Sequence, residues 1–419
     1  MGPLHDELEE LMTRNWRPLP DPPTHIPDVV AVDGSRAYRP FAGGSIVYVA
    51  RAVALWGQKR FRTLETDAFF PGTRTRRVRE FIGSKMEWQE FRAILKVLEE
   101  GGLSDGVILL DGSLYGRMLH LPRDNVAESH KGFMVTYFET YQELLETCLD
   151  RGVLLIGVSK ESRASFLREL FLSFLLTDEL TKIKDKLDLK DQTRILKLPT
   201  EILDRRLQAA RSLGKLRTKY GELLDRLSDI LSEVQAVRPD HQMIRNFVVE
   251  AGYSTPLQLG LHRGRQRLMR QLEKNPRRYA ENNFKETASE AEDSDSFLDE
   301  SAQILSGIPK MPAIVSFHVL LDARDTPLRV DVPSSMLGDG EKLADCGDHK
   351  TAAGDVTPVL EVLLAGYGGL RNYNVWLKRV DGEVRLARRT VDRVYTPALG
   401  RLLDLTLIHD RGYRRVRYP

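Results

Sequence analysis

The sequence predicts an α/β protein in which a mixed sheet is flanked by helices and interrupted by a large inserted helical region. Short apolar runs rich in β-branched residues, such as residues 29–32 and 153–158, are typical of buried strands. Segments with apolar residues at helical spacing lie between these runs. From about residue 165 to 285, long stretches rich in Leu, Arg, Glu and Lys replace the strands. These three observations together predict the fold class.

The chain has 419 residues, which is enough to bury a large core and to form two or three domains. We predict five segments: an N-terminal lead-in, the first part of the core, a helical insertion, an acidic linker, and C-terminal strands that complete the core and end in a basic tail. In that order they comprise residues 1–27, 28–164, 165–285, 286–305 and 306–419.

The first part of the core alternates strands and helices. "VVAVDGS" and "SIVYVARAVALW" predict a long antiparallel hairpin, and "RFRTLETDAFF" predicts a third strand. "KMEWQEFRAILKVLEE" (85–100) has helical spacing and ends at two glycines. "GVILLDGSL" (106–114) and "VLLIGVSK" (153–160) predict buried strands, with a helix between them. Helical crossovers imply that these later strands run parallel.

Strands are also expected near the carboxyl terminus. "AIVSFHVLLD" and "LRVDVP" are apolar runs that follow the acidic linker. The segment "YNVWLKRVDGEVRLARR" (373–389) predicts a hairpin, because Asp381-Gly382 is a turn signal between alternating residues.

Charge and cysteine content limit the class of protein. A net charge of +2 hides a basic stretch at 261–280, which forms either a solvated helix face or a phosphate-facing surface, and an acidic block at 286–300. Cys148 and Cys346 are too few for a disulfide framework or a cysteine zinc site. We find no apolar run that spans a bilayer and no signal-peptide pattern, so we expect a cytoplasmic protein without a membrane segment.

Two strands in this pattern end in the same three residues, Asp-Gly-Ser. A right-handed crossover lays the second strand beside the first, so Asp33 and Asp111 are expected side by side at one edge of the sheet. Two carboxylates that close repel each other, and a divalent cation is the natural way to hold them. A third acid from the helix between them completes an oxygen-rich Mg²⁺ or Mn²⁺ site, which is suited to phosphodiester cleavage.

Two glutamates of the helix are candidates for the third acid. At about 100° per residue, Glu87 falls near the middle of the apolar face formed by Trp88, Phe91, Ile94 and Leu98, whereas Glu90 falls at its margin. An acid in the middle of a buried face calls for a functional explanation, so the helical-face argument favours Glu87 as the third acid. Either acid is also suited simply to begin a helix, so the choice stays open.

The order of strand acid, hairpin, helix acid and strand acid resembles the plan of the ribonuclease H-like nucleases. In more detail the chain resembles the NurA family of DNA-end-processing nucleases. The likeness is carried by "VVAVDGSRAYRPFAGGSIVYVARAVAL", "VILLDGSL", "VLLIGVSK", "FHVLLD" and "RVDVP". The resemblance implies that the metal acids and catalytic residues are Asp33, Asp111 and a helix acid. Family spacing favours Glu90 over Glu87.

Further residues enter through the resemblance. Lys160 matches the family's Ser-Lys and, with Arg36, is expected to contact nucleic acid. The family usually has a tyrosine and a proline followed by a histidine near its carboxyl terminus. Neither "GYSTPLQLGLH", which ends at His262, nor "VYTPALGRLLDLTLIHD" fits this pattern well. His409 in the second segment is the better-placed histidine.

The resemblance implies a Mn²⁺- or Mg²⁺-dependent deoxyribonuclease with 5′–3′ exonuclease and single-strand endonuclease activity. It implies action in DNA end resection and double-strand break repair, as a homodimer with a HerA-type hexameric translocase. Two alternatives stay open. One is a non-catalytic adaptor that loads DNA into a motor, and the other is a ribonuclease or junction resolvase on the same scaffold.

Overall fold

The computed structural model describes residues 3–71, 75–125, 127–203 and 207–402. The strands are β1 (Trp16–Arg17), β2 (Val29–Pro40), β3 (Ile46–Trp56), β4 (Lys59–Phe69), β5 (Val107–Asp111), β6 (Leu154–Ser159), β7 (Gly252–Ser254), β8 (Leu257–Gln258), β9 (Ile314–Leu320), β10 (Leu328–Pro333) and β11 (Lys350–Thr351). The α-helices of the core and its flanks are α1 (His5–Arg14), α2 (Thr75–Glu99), α3 (Leu114–Met118) and α4 (Phe133–Asp150).

Helices dominate the region that follows β6. They are α5 (Phe166–Ile183), α6 (Leu189–Leu203), α7 (Leu207–Tyr220), α8 (Asp225–Ala236), α9 (Asp240–Phe247), α10 (Arg263–Lys274), α11 (Pro276–Asn283), α12 (Lys285–Glu290) and α13 (Ser294–Gly307). The last helices described are α14 (Thr357–Ala365), α15 (Val375–Val384), α16 (Arg388–Thr390) and α17 (Thr396–Leu402).

The strands form one mixed sheet in the order β1-β7-β9-β10-β6-β5-β2-β3-β4, with β8 joining β9 and β11. The parallel pairs β2–β5 and β5–β6 lie at the centre, as the crossover argument predicts. β2, β3 and β4 form an antiparallel meander on one side. On the other side β10 runs antiparallel to β6, so strands from the end of the chain complete the sheet begun near its start.

Each face of the sheet packs against its own layer. Alternate residues of β2 point to opposite faces, so that Val30 and Val32 join the core beneath α2 and α4 and the helical region, whereas Val29 and Ala31 join the core beneath α14 and α15. This two-layered burial accounts for strands such as β5, in which four consecutive residues are buried. The predicted α/β class, with a mixed sheet flanked by helices and a large helical insertion, is confirmed.

Several expected elements take another form. The hairpin expected at residues 373–389 is wrong, because residues 375–384 form α15. Asn374 caps this helix by accepting bonds from the backbone of Trp376 and Leu377, and Leu377, Val380 and Val384 bury one helical face. Helical spacing of the buried residues therefore outweighs the turn signal at Asp381-Gly382.

The acidic block also differs from the solvated linker that was expected. Residues 286–300 contain most of α12 and the first half of α13. Asp293 caps α13 through the backbone N–H of Ser296, and Leu298 and Leu305 pack into the core. The acids occupy the outer face of an amphipathic helix, a pattern that net charge alone does not reveal.

Within the described part of the chain, no helix is long and apolar enough to cross a bilayer.

Candidate metal centre

The sheet brings the two predicted aspartates together. Val32 pairs with Leu110 in the parallel β2–β5 ladder, so Asp33 and Asp111, the next residue of each strand, lie side by side. Both side chains are half-buried. β5 ends at Asp111, whereas β2 continues to Pro40, so the two carboxylates lie where the pairing of β2 with β5 ends.

Gly34 explains why a glycine follows the first aspartate. Asp33 and Ser35 face α15, and Gly34 faces α2. A Cβ at position 34 would lie 2.6 Å from Oε1 of Glu90 and 2.8 Å from Cγ of Met86. Glu90 therefore rests directly on the backbone of β2, and the missing side chain allows the helix acid to approach the strand at the residue after Asp33.

Glu90 is fully buried, and one of its oxygens is unpartnered among the described residues. Its Oε2 accepts a hydrogen bond from Arg117 Nη2 at 2.5 Å, while its Oε1 has no hydrogen-bond donor. Burial raises the pKa of Glu90, and the neighbouring carboxylates of Glu87 and Asp33 raise it further against the opposing charge of Arg117. A buried carboxylate oxygen without a donor, packed against the residue that follows a second carboxylate, suits a cation ligand.

The pKa of Asp33 is raised in the same way. Burial raises it to about 7, and the charge of Asp111 adds to the effect. The backbone N–H of Gly34 donates to Asp33 Oδ1 at 2.8 Å and partly offsets the shift. A carboxylate whose pKa is raised by burial and by the charge of an adjacent carboxylate is the arrangement that a bound divalent cation relieves.

Lys160 balances the charge of Asp111. Its Nζ donates to Asp111 Oδ2 at 2.7 Å and lies 4.7 Å from the centre of the Tyr373 ring. Asp111 raises the pKa of Lys160, which keeps the ammonium group charged. Lys160, predicted as a nucleic-acid contact, thus lies beside the predicted metal acids.

Glu87 has different partners from Glu90. Its Oε2 accepts a hydrogen bond from Tyr137 Oη at 2.7 Å and lies 2.8 Å from His120 Nε2. These partners outweigh the effect of burial and lower the pKa of Glu87. The helical-face argument for Glu87 does not match the burial, because Glu90 is fully buried and Glu87 is not. The family spacing identified the acid that contacts β2.

The two serines of the repeated Asp-Gly-Ser do different work. Ser113 Oγ donates to Asp331 Oδ2 at 2.7 Å. It also accepts a hydrogen bond from the backbone N–H of Gly116, and this bond caps the N-terminus of α3. Ser35 Oγ accepts the backbone N–H of Leu386, just after α15. Gly112 adopts a φ of 122°, which requires glycine. The second repeat thus turns the chain, and the first attaches the last helices to the sheet.

That attachment brings a fourth carboxylate to the site. Arg51 of β3 donates to the carbonyl oxygens of Val384 and Arg385, which fixes the end of α15 across the sheet. Asp381, one turn earlier, contributes to the raised pKa of Asp33. Sequence reasoning missed Asp381 because it assigned this segment to a hairpin, and it missed Arg117 and Tyr373 because no spacing rule marks them.

The carboxylates are near one another but do not form a closed cluster. Oxygen atoms of Asp33, Glu90 and Asp111 do not all approach within 4.8 Å of one another, and Lys160 and Arg117 each hold one of the acids. Across the described ranges, the group that does meet this distance is His5, Asp6 and Glu9 on α1, which is largely exposed. The all-oxygen donor set at Asp33 suits Mg²⁺ or Mn²⁺, provided that Lys160 releases Asp111.

Comparison with known proteins decides the family. A family model for the NurA domain matches residues 27–282, which include the acids of β2, α2 and β5. The chain belongs to the NurA nuclease family. No curated protein sequence gave a significant match.

Solved NurA structures are similar to this chain. The crystal structure of the NurA nuclease from Sulfolobus solfataricus shares 15% identity with a TM-score of 0.53, covering 96% of this chain and 91% of that one. A NurA structure with manganese shares 17% identity (TM-score 0.41, 94% and 96% covered), and one bound to dAMP and manganese shares 15% (TM-score 0.39, 98% and 94% covered). The first likeness supports the NurA fold of this chain.

The remaining predicted site residues of this NurA protein lie apart from the carboxylates or beyond the described residues. Arg36 is exposed, and its Nη1 donates to the carbonyl oxygen of Arg79 across Gly83. His262 precedes α10 and lines a separate cavity with His349. His409 lies outside the described residues.

Proposed function

We propose that this NurA protein is a Mn²⁺- or Mg²⁺-dependent deoxyribonuclease in which Asp33, Asp111 and Glu90 hold the metal. The observation that carries the proposal is the packing of Glu90, with its unpartnered Oε1, onto β2 at Gly34, the residue that follows Asp33. Asp381 is a candidate fourth oxygen donor, because its charge acts on Asp33.

A divalent cation bound by these acids supplies water activation and stabilises the leaving oxygen of a phosphodiester. The protein residues do the remaining work. Arg117 holds Glu90 through Oε2, which leaves Oε1 against the backbone of β2 at Gly34. Lys160, once free of Asp111, presents a charged ammonium group to a phosphate from the rim of the site. The ring of Tyr373 lies 4.7 Å from that ammonium nitrogen and stabilises its charge.

The finer features of the proposal follow the family resemblance. We propose 5′–3′ exonuclease and single-strand endonuclease activity in DNA end resection and double-strand break repair in the cytoplasm. The proposed partners are DNA, a HerA-type hexameric translocase and a second copy of this chain. Arg36 and Lys160 are the proposed nucleic-acid contacts, and the proposed C-terminal histidine is His409.

The test is a Mn²⁺ cleavage assay on end-labelled DNA and RNA with the wild type and Asp33→Asn. We expect the substitution to reduce DNA cleavage by more than about 100-fold, because even partners of metal ligands cost about 10- to 100-fold when removed. Asp21→Asn, in the exposed lead-in, is a matched control. Undiminished cleavage by Asp33→Asn contradicts the proposal, and RNA cleavage without DNA cleavage favours the ribonuclease alternative.

A second candidate function is the non-catalytic DNA-loading adaptor. The observation that favours it is the pairing of Asp111 with Lys160, which occupies an oxygen that a metal needs. The adaptor predicts no cleavage of single- or double-stranded ends at any Mn²⁺ concentration, together with firm binding to a motor. Metal-dependent cleavage that Asp33→Asn removes contradicts it.

A further inference from the structure

A cavity of about 550 Å³ lies beside the carboxylate site, on the side of the sheet that α2 covers. Three arginines line it, and we refer to this cavity as the arginine pocket: Arg77 of α2, Arg123 from the segment after α3, and Arg265 of α10. Arg265 comes from the basic stretch at 261–280 that the sequence singled out. The fold therefore gathers guanidinium groups from three separate parts of the chain.

The guanidinium groups are available for a ligand. In residues 3–71, 75–125, 127–203 and 207–402, none of the three forms an ion pair or a side-chain hydrogen bond, and Nη1 of Arg265 is buried without an acceptor. Burial lowers the pKa of Arg265, and the nearby charge of Arg123 lowers it further. A buried N–H donor without an acceptor costs stability unless a ligand supplies one.

The acids of the pocket do not use up this charge. Glu80 and Asp124 also line it. Asp124 already accepts hydrogen bonds from the backbone N–H of Glu286 at 2.9 Å and from Oγ1 of Thr287 at 2.5 Å. Three arginines against two carboxylates leave the pocket positive, and planar guanidinium groups match the oxygens of a phosphate.

The pocket adjoins the proposed metal site through α2. His120 lines the pocket, and its Nε2 lies 2.8 Å from Oε2 of Glu87, one turn of α2 from Glu90. Ser84, another lining residue, precedes Glu90 by six residues, or roughly 9 Å along the helix axis. One nucleic-acid strand can span both places.

We propose that the arginine pocket binds a backbone phosphate of the strand whose cleaved phosphodiester lies at Asp33 and Asp111. The identity of the ligand as a nucleic-acid strand rests on the proposed function. Arg265 supplies the pre-positioned buried donor, and the exposed Arg77 and Arg123 close on the phosphate from the rim.

The test measures binding of a fluorescein-labelled single-stranded oligodeoxynucleotide by anisotropy, with full-length protein in EDTA so that no cleavage occurs. We expect Arg265→Gln to weaken binding about 10-fold, the loss of a charge-assisted hydrogen bond. Because one phosphate contact contributes about 0.7 to the slope of log affinity against log salt for single strands, the slope should fall by about that amount. Arg123→Gln, at an exposed position, should act in the same direction without risk to folding.

Arg267→Gln is the matched control, because Arg267 is exposed on the same helix and does not line the pocket. Equal affinities and slopes for Arg265→Gln, Arg123→Gln and this control overturn the proposal. Calorimetry with inorganic phosphate is the second measurement. If Arg265→Gln abolishes phosphate binding but leaves the oligonucleotide affinity unchanged, the pocket binds free phosphate and not a nucleic-acid strand, and the proposal is overturned. Failure of the wild type to cleave DNA in Mn²⁺ contradicts only the proposed nuclease function, because the binding measurement does not depend on cleavage.

Discussion

Replacement of Gly34 by alanine tests how closely Glu90 must approach the sheet. Gly34 lies in a regular strand without a positive φ, so alanine fits the backbone. The new Cβ would lie 2.6 Å from Glu90 Oε1. An ordinary contact needs about 3.4 Å, so the carboxylate must retreat by roughly 0.8 Å, and Arg117 and the surrounding core oppose that movement.

Such a displacement should separate activity from stability. Overpacking by a methyl group costs about 1–3 kcal/mol of unfolding free energy. A misplacement of about 1 Å at a catalytic group costs about 100-fold in rate. We therefore expect Gly34→Ala to fold, to unfold at a modestly lower denaturant midpoint, and to lose roughly two orders of magnitude in Mn²⁺-dependent cleavage of end-labelled DNA.

Gly43→Ala is the control for this experiment. Gly43 lies in the turn of the same hairpin, and an added Cβ there meets nothing within 4 Å. It should cleave at the wild-type rate. If the cleavage rate of Gly34→Ala lies within about twofold of that of Gly43→Ala, Glu90 does not act from its contact with β2.

Three further predictions concern individual charges. Glu90→Gln should reduce the cleavage rate by more than about 100-fold. Glu87→Gln alters only a group behind the proposed ligand and should reduce the rate by about 10-fold. The reverse order of the two effects in the same assay assigns the metal to Glu87. Because Asp33 and Glu90 must each lose a proton to bind a cation, and their pKa values are raised to about 7 and about 8, Mn²⁺ affinity measured by calorimetry should rise at least about tenfold per pH unit up to pH 7 and level off only above pH 8. An affinity that is flat from pH 5 to 8 contradicts this. Lys160→Met should tighten Mn²⁺ binding, because the cation no longer competes with an ammonium group for Asp111; unchanged or weaker binding in the same titration argues against that competition.

The two apolar runs made the first two acids predictable. Asp33 and Asp111 each follow such a run, and the crossover rule alone lays the two parallel strands side by side, so their proximity needed no knowledge of side-chain packing. The expected end of the first strand at Asp-Gly-Ser is wrong, because β2 continues to Pro40 in its pairing with β3. The helix acid was harder to choose. α2 packs against both β4 and α4, so a single apolar face did not describe which of its residues are buried.

Other parts of the site depended on tertiary contacts. Arg117 reaches Glu90 from a short helix after β5, and no local pattern marks that pairing. Asp381 was assigned to a turn because Asp-Gly is a strong local signal, yet burial of Leu377, Val380 and Val384 made the segment helical. Local propensity failed where packing determined the structure.

Asp33, Asp111 and Glu90 are proposed to hold a divalent cation. The most direct test is a crystal of the full-length protein soaked in Mn²⁺, examined by anomalous scattering. We expect a manganese peak between Asp33 and Asp111, with Glu90 coordinated and Lys160 withdrawn from Asp111. Manganese bound only at His5, Asp6 and Glu9, or no peak at the sheet edge, contradicts it.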